Sequence, residues 1–136
     1  MRYFLAKTDP DTYTIDQLKA DHRTTWDGVR NAQAVRAIRE MQPGDTVLIY
    51  HSLGQSAIVG WAKVVSPSRP DPLDAKSAVV DLEFAGLLEP PTTLADVKSS
   101  GLFPDFALVR QSRLSTMSAP DVFIVWLRKR YPHTKF

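Results

Sequence analysis

Thr25-Trp26-Asp27-Gly28-Val29-Arg30-Asn31 sets an aromatic plane, a carboxylate, a guanidinium and a side-chain amide side by side. Trp26 offers a flat face for stacking and one N–H donor, while Asp27, Arg30 and Asn31 can read polar edges. Gly28 between them can take backbone angles closed to other residues. Such a set suits capture of a planar, polar ring. It equally suits a buried tryptophan anchoring a turn, with Asp27 and Arg30 paired to each other. Arg110 and Arg113, in Val109-Arg110-Gln111-Ser112-Arg113-Leu114-Ser115, resemble Arg30 in lying among apolar or motif-like neighbours. An arginine so placed takes a partner, either Asp27 or Asp9 within the chain or a ligand's phosphate or base.

Other chemistries find less support. The chain has no cysteine, which excludes disulfides, thiolate metal sites and cysteine nucleophiles. His22, His51 and His133 fall in separate elements without ligand spacing, so no metal and no cofactor is expected. His51-Ser52 could supply a nucleophile and base, but neighbours on a strand point to opposite faces. The glycines are scattered and form no phosphate-cradling loop. Arg128-Lys129-Arg130 reads as a solvated helix end. A formal net charge of +2 permits a nucleic-acid partner without requiring one. With 136 residues, 43% hydrophobic and 24% charged, the chain is expected to form one globular domain over residues 1–136. No apolar run approaches a membrane span, and the start is too short for a signal peptide. The expected protein is cytoplasmic, monomeric and without a membrane partner.

The elements that must position these residues can be placed from pattern. Residues 2–7 read as a strand ended by Thr8-Asp9-Pro10-Asp11. Thr14-Ile15-Asp16-Gln17 has capping-box form and opens a short helix. Asp21-His22-Arg23 reads as a polar linker into the Trp26 loop. Asn31 should cap a helix over 32–41, with Ala34, Ala37, Ile38 and Met41 on its inner face. Residues 46–50 form a strand buried on both faces, joined by a hairpin-sized turn to a strand over 57–65. Gly60 within that strand signals close approach of a backbone or a ligand. Residues 66–74 read as a surface loop and 79–88 as a strand ended by Pro90-Pro91. A capped helix over 93–101 and an aromatic loop, 103–106, come next. A strand is expected within 109–115. The helix over 120–130 is apolar nearly all round and should pack deep. Separated strands and short capped helices argue an α+β class.

Taken in order, Phe4-Leu5-Ala6-Lys7-Thr8-Asp9-Pro10, WDGVRN, Arg39-Glu40-Met41 with Gly44-Asp45, Tyr50-His51-Ser52, Val59-Gly60 and RQSRLS resemble the EVE-domain family, from about Tyr3 to Trp126. WDGVRN and RQSRLS at this separation are specific together. The resemblance implies a PUA-like mixed β-barrel flanked by short helices, akin to YTH and ASCH domains. It also implies binding of modified bases in DNA or RNA. By position, Lys7-Thr8-Asp9 is similar to the Lys-Ser-Asn start of the YTH pocket, Tyr13 to a further polar pocket residue and Trp26 to a cage tryptophan. Asp27 matches the residue after it, and His51-Ser52 with Gly60 matches the pocket-side hairpin. Thr8-Asp9 departs from the family's more usual Ser-Glu. Ala32, Val35 and Arg36 depart from the larger or polar residues common after WDGVRN. Phe103 or Phe106 stands in for a second cage aromatic. The expected site is Lys7, Thr8, Asp9, Tyr13, Trp26, Asp27, Gly28, Val29, Arg30, Asn31, His51, Ser52, Arg113 and Ser115, with no catalytic residue among them. The expected function is a nucleic-acid-binding module that stacks a modified base on Trp26. The alternatives are a small enzyme acting on a nucleotide or small ligand in the same pocket, using Asp9, Asp27 or His51, and a protein-interaction scaffold.

Overall fold

The computed structural model describes residues 1–136. Strand β1 (Tyr3–Thr8) leads through a turn into helix α1 (Ile15–Asp21) and strand β2 (Arg23–Trp26). Helix α2 (Ala32–Glu40) is followed by β3 (Thr46–His51), β4 (Ala57–Val64), β5 (Arg69–Asp71) and the long β6 (Asp74–Thr93). Helices α3 (Leu94–Ser99) and α4 (Ala107–Arg110), strand β7 (Thr116–Ser118) and helix α5 (Asp121–Arg130) complete the chain. This is the expected α+β class, with one mixed seven-stranded sheet. None of its helices is long and apolar enough to cross a membrane.

The sheet runs β2-β6-β4-β3-β1-β7, with β5 added to β6. Only β1 and β3 pair in parallel. Strand β3 lies between β1 and β4, and all six of its residues are buried, as its apolar run requires. Helix α2 packs against both β6 and β7, strands that lie towards opposite ends of the sheet. Its inner face is Ala34, Val35, Ala37 and Ile38. The core formed beneath is contiguous.

Local chemistry sets the boundaries. Thr14 Oγ1 accepts from the Gln17 N–H at 3.1 Å while Gln17 Oε1 accepts from the Thr14 N–H at 2.7 Å, the reciprocal cap of α1. Gly60 has no room for a side chain: a Cβ there would stand 2.7 Å from Ile15 Cδ1 and 2.8 Å from the Gly86 carbonyl oxygen. The close approach anticipated from sequence is thus of a neighbouring strand and of α1, not of a ligand.

Five expectations are corrected. Residues 23–26 are not linker or loop but strand β2, paired antiparallel to β6 from Arg23↔Glu83 to Trp26↔Val80. Residues 69–71 form β5, hairpinned onto β6. Strand β6 does not end at Pro90-Pro91. The register jumps from Gly60↔Leu87 to Ile58↔Thr92, so both prolines fall where no ladder bond is asked of them. Residues 109–115 carry no strand, because Val109 and Arg110 close the one-turn α4 and the β pairing begins only at Thr116. Helix α5 is also less deep than its composition suggested. Phe123, Ile124 and Leu127 are buried, whereas Val122 and Val125 are exposed.

Candidate nucleic-acid interface

The hydrogen-bonded ladder is open between its end strands β2 and β7. A cavity of about 390 Å³ lies on that side, reached by residues of β2 and by the residue leading into β7. Strand β2 supplies Thr24, Thr25 and Trp26, and the loop after it supplies Asp27, Gly28, Val29 and Arg30. The opposite wall is Lys7 and Thr8 at the end of β1, with Asp9, Thr12 and Tyr13 from the following turn and Ser115 leading into β7. Its size lies within the range of small-ligand pockets, about 300–1,000 Å³.

Each wall is held by identifiable contacts. Pairing of Trp26 with Val80 fixes the tryptophan on the last position of β2. Its residue is only 8% exposed, and its ring meets that of Tyr13 edge-to-face at 6.3 Å and 80°. Beyond it, Gly28 adopts φ +75°, a left-handed turn unfavourable to side chains. Buried Val29 then anchors the loop, its carbonyl accepting the Ser77 hydroxyl hydrogen bond. The Thr8 hydroxyl donates to the Tyr13 carbonyl at 2.9 Å, drawing the turn onto the end of β1. Thr25 donates to Asp81 Oδ1 at 2.8 Å, and Arg69 with Thr25 holds the Asp81 carboxyl below the usual carboxylate range.

Charges of both signs face the cavity. Lys7 is half-buried, and desolvation lowers its ammonium below the ordinary lysine pKa. It has no carboxylate partner; Nζ donates to the Ser112 carbonyl at 3.1 Å and lies 5.5 Å from the centre of the Tyr50 ring. Burial, then the hydrogen bond to Asp21, raises the Tyr13 pKa. Asp27 and Arg30 do not pair with each other, and neither enters an ion pair. A planar polar ring admitted here would meet one aromatic wall, hydroxyls, a desolvated cation and two carboxylates.

Of the residues singled out from sequence, Lys7, Thr8, Asp9, Tyr13, Trp26, Asp27, Gly28, Val29, Arg30 and Ser115 come together around this cavity. Four do not line it. Asn31 is committed as the α2 cap, its Oδ1 accepting from the Gln33 and Ala34 N–H groups at 2.9 and 3.1 Å. His51 is buried behind the wall, where Nε2 accepts from the Ile15 N–H at 3.0 Å and Nδ1 contacts Gln55 Oε1 at 3.2 Å. Ser52 binds the Thr8 carbonyl through its N–H and hydroxyl at 3.0 and 3.3 Å. Arg113 is exposed outside the cavity. His51 and Ser52 therefore hold the floor and the neighbouring turn rather than the space within. Arg110 pairs with Asp105 at 3.2 Å, away from Asp9 and Asp27. Phe103 and Phe106, the stand-ins for a second cage aromatic, pack on Phe123 of α5 instead. Tyr13 is the aromatic nearest Trp26 in the cavity.

Thr12, Thr24 and Thr25 line the cavity although none was among the expected site residues. The two in β2 carried a signal, since Thr24-Thr25-Trp26 is a run of strand-favouring residues. Arg128 and Arg130 also find internal partners. Arg128 donates to the Phe136 carbonyl and to the Tyr3 hydroxyl, and Arg130 donates to Thr92 and Asp96.

Comparison with known proteins agrees with this architecture. The family model for the EVE domain matches residues 2–128. Mouse thymocyte nuclear protein 1 is 30% identical over 125 residues, covering 71% of this chain and 55% of that protein. The chain spans about half the length of such curated relatives. A Rhodopseudomonas palustris protein solved by NMR superimposes with a TM-score of 0.91 at 32% identity, over 100% of this chain and 97% of its own. Human THYN1 protein, solved in complex with DNA containing 5-methylcytosine, gives a TM-score of 0.85 at 24% identity over 96% and 98% of the two chains. An ASCH protein from Zymomonas mobilis shares the fold at a TM-score of 0.61 and 8% identity, over 95% and 98%.

Proposed function

The chain belongs to the EVE-domain family, and from that premise we propose that it binds nucleic acid and admits one modified base, out of the stack, into the cavity walled by Trp26. The observation that carries this reading is the cavity itself. It lies at the open seam of the sheet, is lined by Trp26 to Arg30 of one family-like motif and Ser115 of the other, and sets an indole beside Asp27 and Arg30, which enter no ion pair. A base taken into it would stack against Trp26, while Thr8, Asp9 and Asp27 would accept hydrogen bonds from its edge. Lys7 would offer a donor from a partly dry site, where such a bond is strengthened. The complex of human THYN1 with 5-methylcytosine-containing DNA makes that base in DNA the first candidate ligand.

The enzyme reading has less to stand on. His51, the residue best suited to proton transfer near neutrality, has both ring nitrogens engaged with Ile15 and Gln55 behind the wall. The test is direct titration. A duplex with a single 5-methylcytosine should bind more tightly than the unmodified duplex at the same salt concentration. The difference should be worth at least the ~1 kcal/mol at the lower end of one base–aromatic stack. Equal affinity for the two across the titration would remove this function.

A further inference from the structure

We infer that a second, smaller cavity beside the first is the seat of a sugar–phosphate, that of the nucleotide flanking the base held in the main cavity. This cavity, of about 220 Å³, lies where α2 meets the free edge of β7. The two cavities are adjacent along both elements. Ser115 lines the first and Thr116 the second, while Arg30 lines the first and Gln33, at the start of α2, lines the second. The inference rests on the nucleic-acid reading above and adds the part of the strand that reading leaves outside the pocket.

Three observations point to an anion. Thr116 is 0% exposed, and its Oγ1 has no hydrogen-bond partner, although buried hydroxyls are ordinarily satisfied. Arg36 lines the same cavity and enters no ion pair. The edge of β7 also presents free main-chain donors. The Lys7 N–H donates to the Ser115 carbonyl and the Ala119 N–H donates to the Tyr3 carbonyl, so the alternate residues, Thr116 and Ser118, turn their N–H groups away from β1. The one carboxylate in the lining, Glu40, is held by Arg2 at 3.1 Å. Apolar Leu114 and Met117 form the remaining wall, suited to the face of a sugar ring. A phosphate needs N–H and O–H donors together with a guanidinium, and residues carrying both kinds line this cavity.

The experiment titrates wild type, Arg36→Gln and Thr116→Val with a duplex containing one 5-methylcytosine, with the unmodified duplex and with inorganic phosphate, at several salt concentrations. Arg36→Gln should weaken both duplexes together by about tenfold, the lower range for a hydrogen bond to a charged group. Its salt dependence should be shallower by about 0.9, the slope of one phosphate contact. Thr116→Val should likewise weaken both by about tenfold, because its hydroxyl also bonds a charged acceptor, with the salt slope unchanged. Melting of free Thr116→Val should occur no lower than in wild type, because an unpartnered hydroxyl is being removed. The preference for the modified duplex should survive both changes. Wild-type affinities in both variants would overturn the inference. So would loss of inorganic-phosphate binding in Arg36→Gln with duplex affinity intact, which would make the cavity a free-anion site. Absence of a preference in wild type, with Arg36→Gln still weakening both duplexes, would instead remove the base-reading function and leave the phosphate seat standing.

Discussion

Replacing Trp26 by alanine is expected to remove most of the discrimination between modified and unmodified strands, and to destabilise the fold as well. Stacking of a base on an aromatic ring is worth roughly 1–3 kcal/mol, so affinity for the modified duplex should fall by that amount while the unmodified duplex is little affected. The stability cost has a separate origin. Trp26 is 8% exposed, belongs to the contiguous core and closes β2 against Val80. Truncating such a side chain typically costs about 3–5 kcal/mol. Trp26→Phe keeps a ring in place and should retain the fold with intermediate discrimination. Chemical denaturation of both variants, with duplex titrations well below their melting temperatures, separates the two effects. If Trp26→Ala weakens both duplexes equally, the indole holds the loop rather than the base.

Phe123→Ala should produce a comparable loss of stability with no loss of discrimination. Phe123 is 0% exposed, and its ring lies 5.2 Å from that of Phe103, 4.7 Å from Phe106 and 5.6 Å from Trp126. Removing it opens a void at the centre of this cluster, which typically costs about 3–5 kcal/mol. None of the four rings lines the base cavity. The ratio of affinities for the two duplexes should therefore stay at the wild-type value while the denaturation midpoint falls. A changed ratio would mean that the α5 cluster is coupled to the cavity.

Much of this arrangement was legible in the sequence wherever chemistry is local. The Thr14–Gln17 reciprocal cap, the Asn31 cap and the buried run of β3 depend on neighbouring residues alone, and they form where spacing placed them. The Trp26 loop was marked by its residue types, whereas Lys7, Thr8, Asp9 and Tyr13 were placed at the cavity by the family resemblance. The misreadings concern long-range pairing. Strand β2 has four residues and exists because β6 lies alongside it, a partner beginning nearly fifty residues later that no local pattern announces. His51 was expected at the pocket because it matches the family's pocket-side hairpin, yet the first N–H of α1, brought there by the fold, takes its ring. Phe103 and Phe106 had the right chemistry for a cage and the wrong neighbour, since the face of α5 claims them. Arg36 stood out only as a departure from the residues common after WDGVRN; the fold shows that it shares a cavity with Thr116, whose buried hydroxyl is unpartnered.

The central claim is that a base enters the cavity beside Trp26, and the three tryptophans of the chain provide the means to observe it. Each indole N–H gives its own signal in a nitrogen-15 correlation spectrum. Trp61 is packed against Phe136 and Trp126 against Phe103, whereas Trp26 alone of the three lines the cavity. On titration with 5-methyl-2′-deoxycytidine, the Trp26 indole signal should move progressively and saturate while those of Trp61 and Trp126 stay in place. A stationary Trp26 signal beside a moving Trp61 or Trp126, or three stationary signals in a protein that still binds the modified duplex, would contradict it.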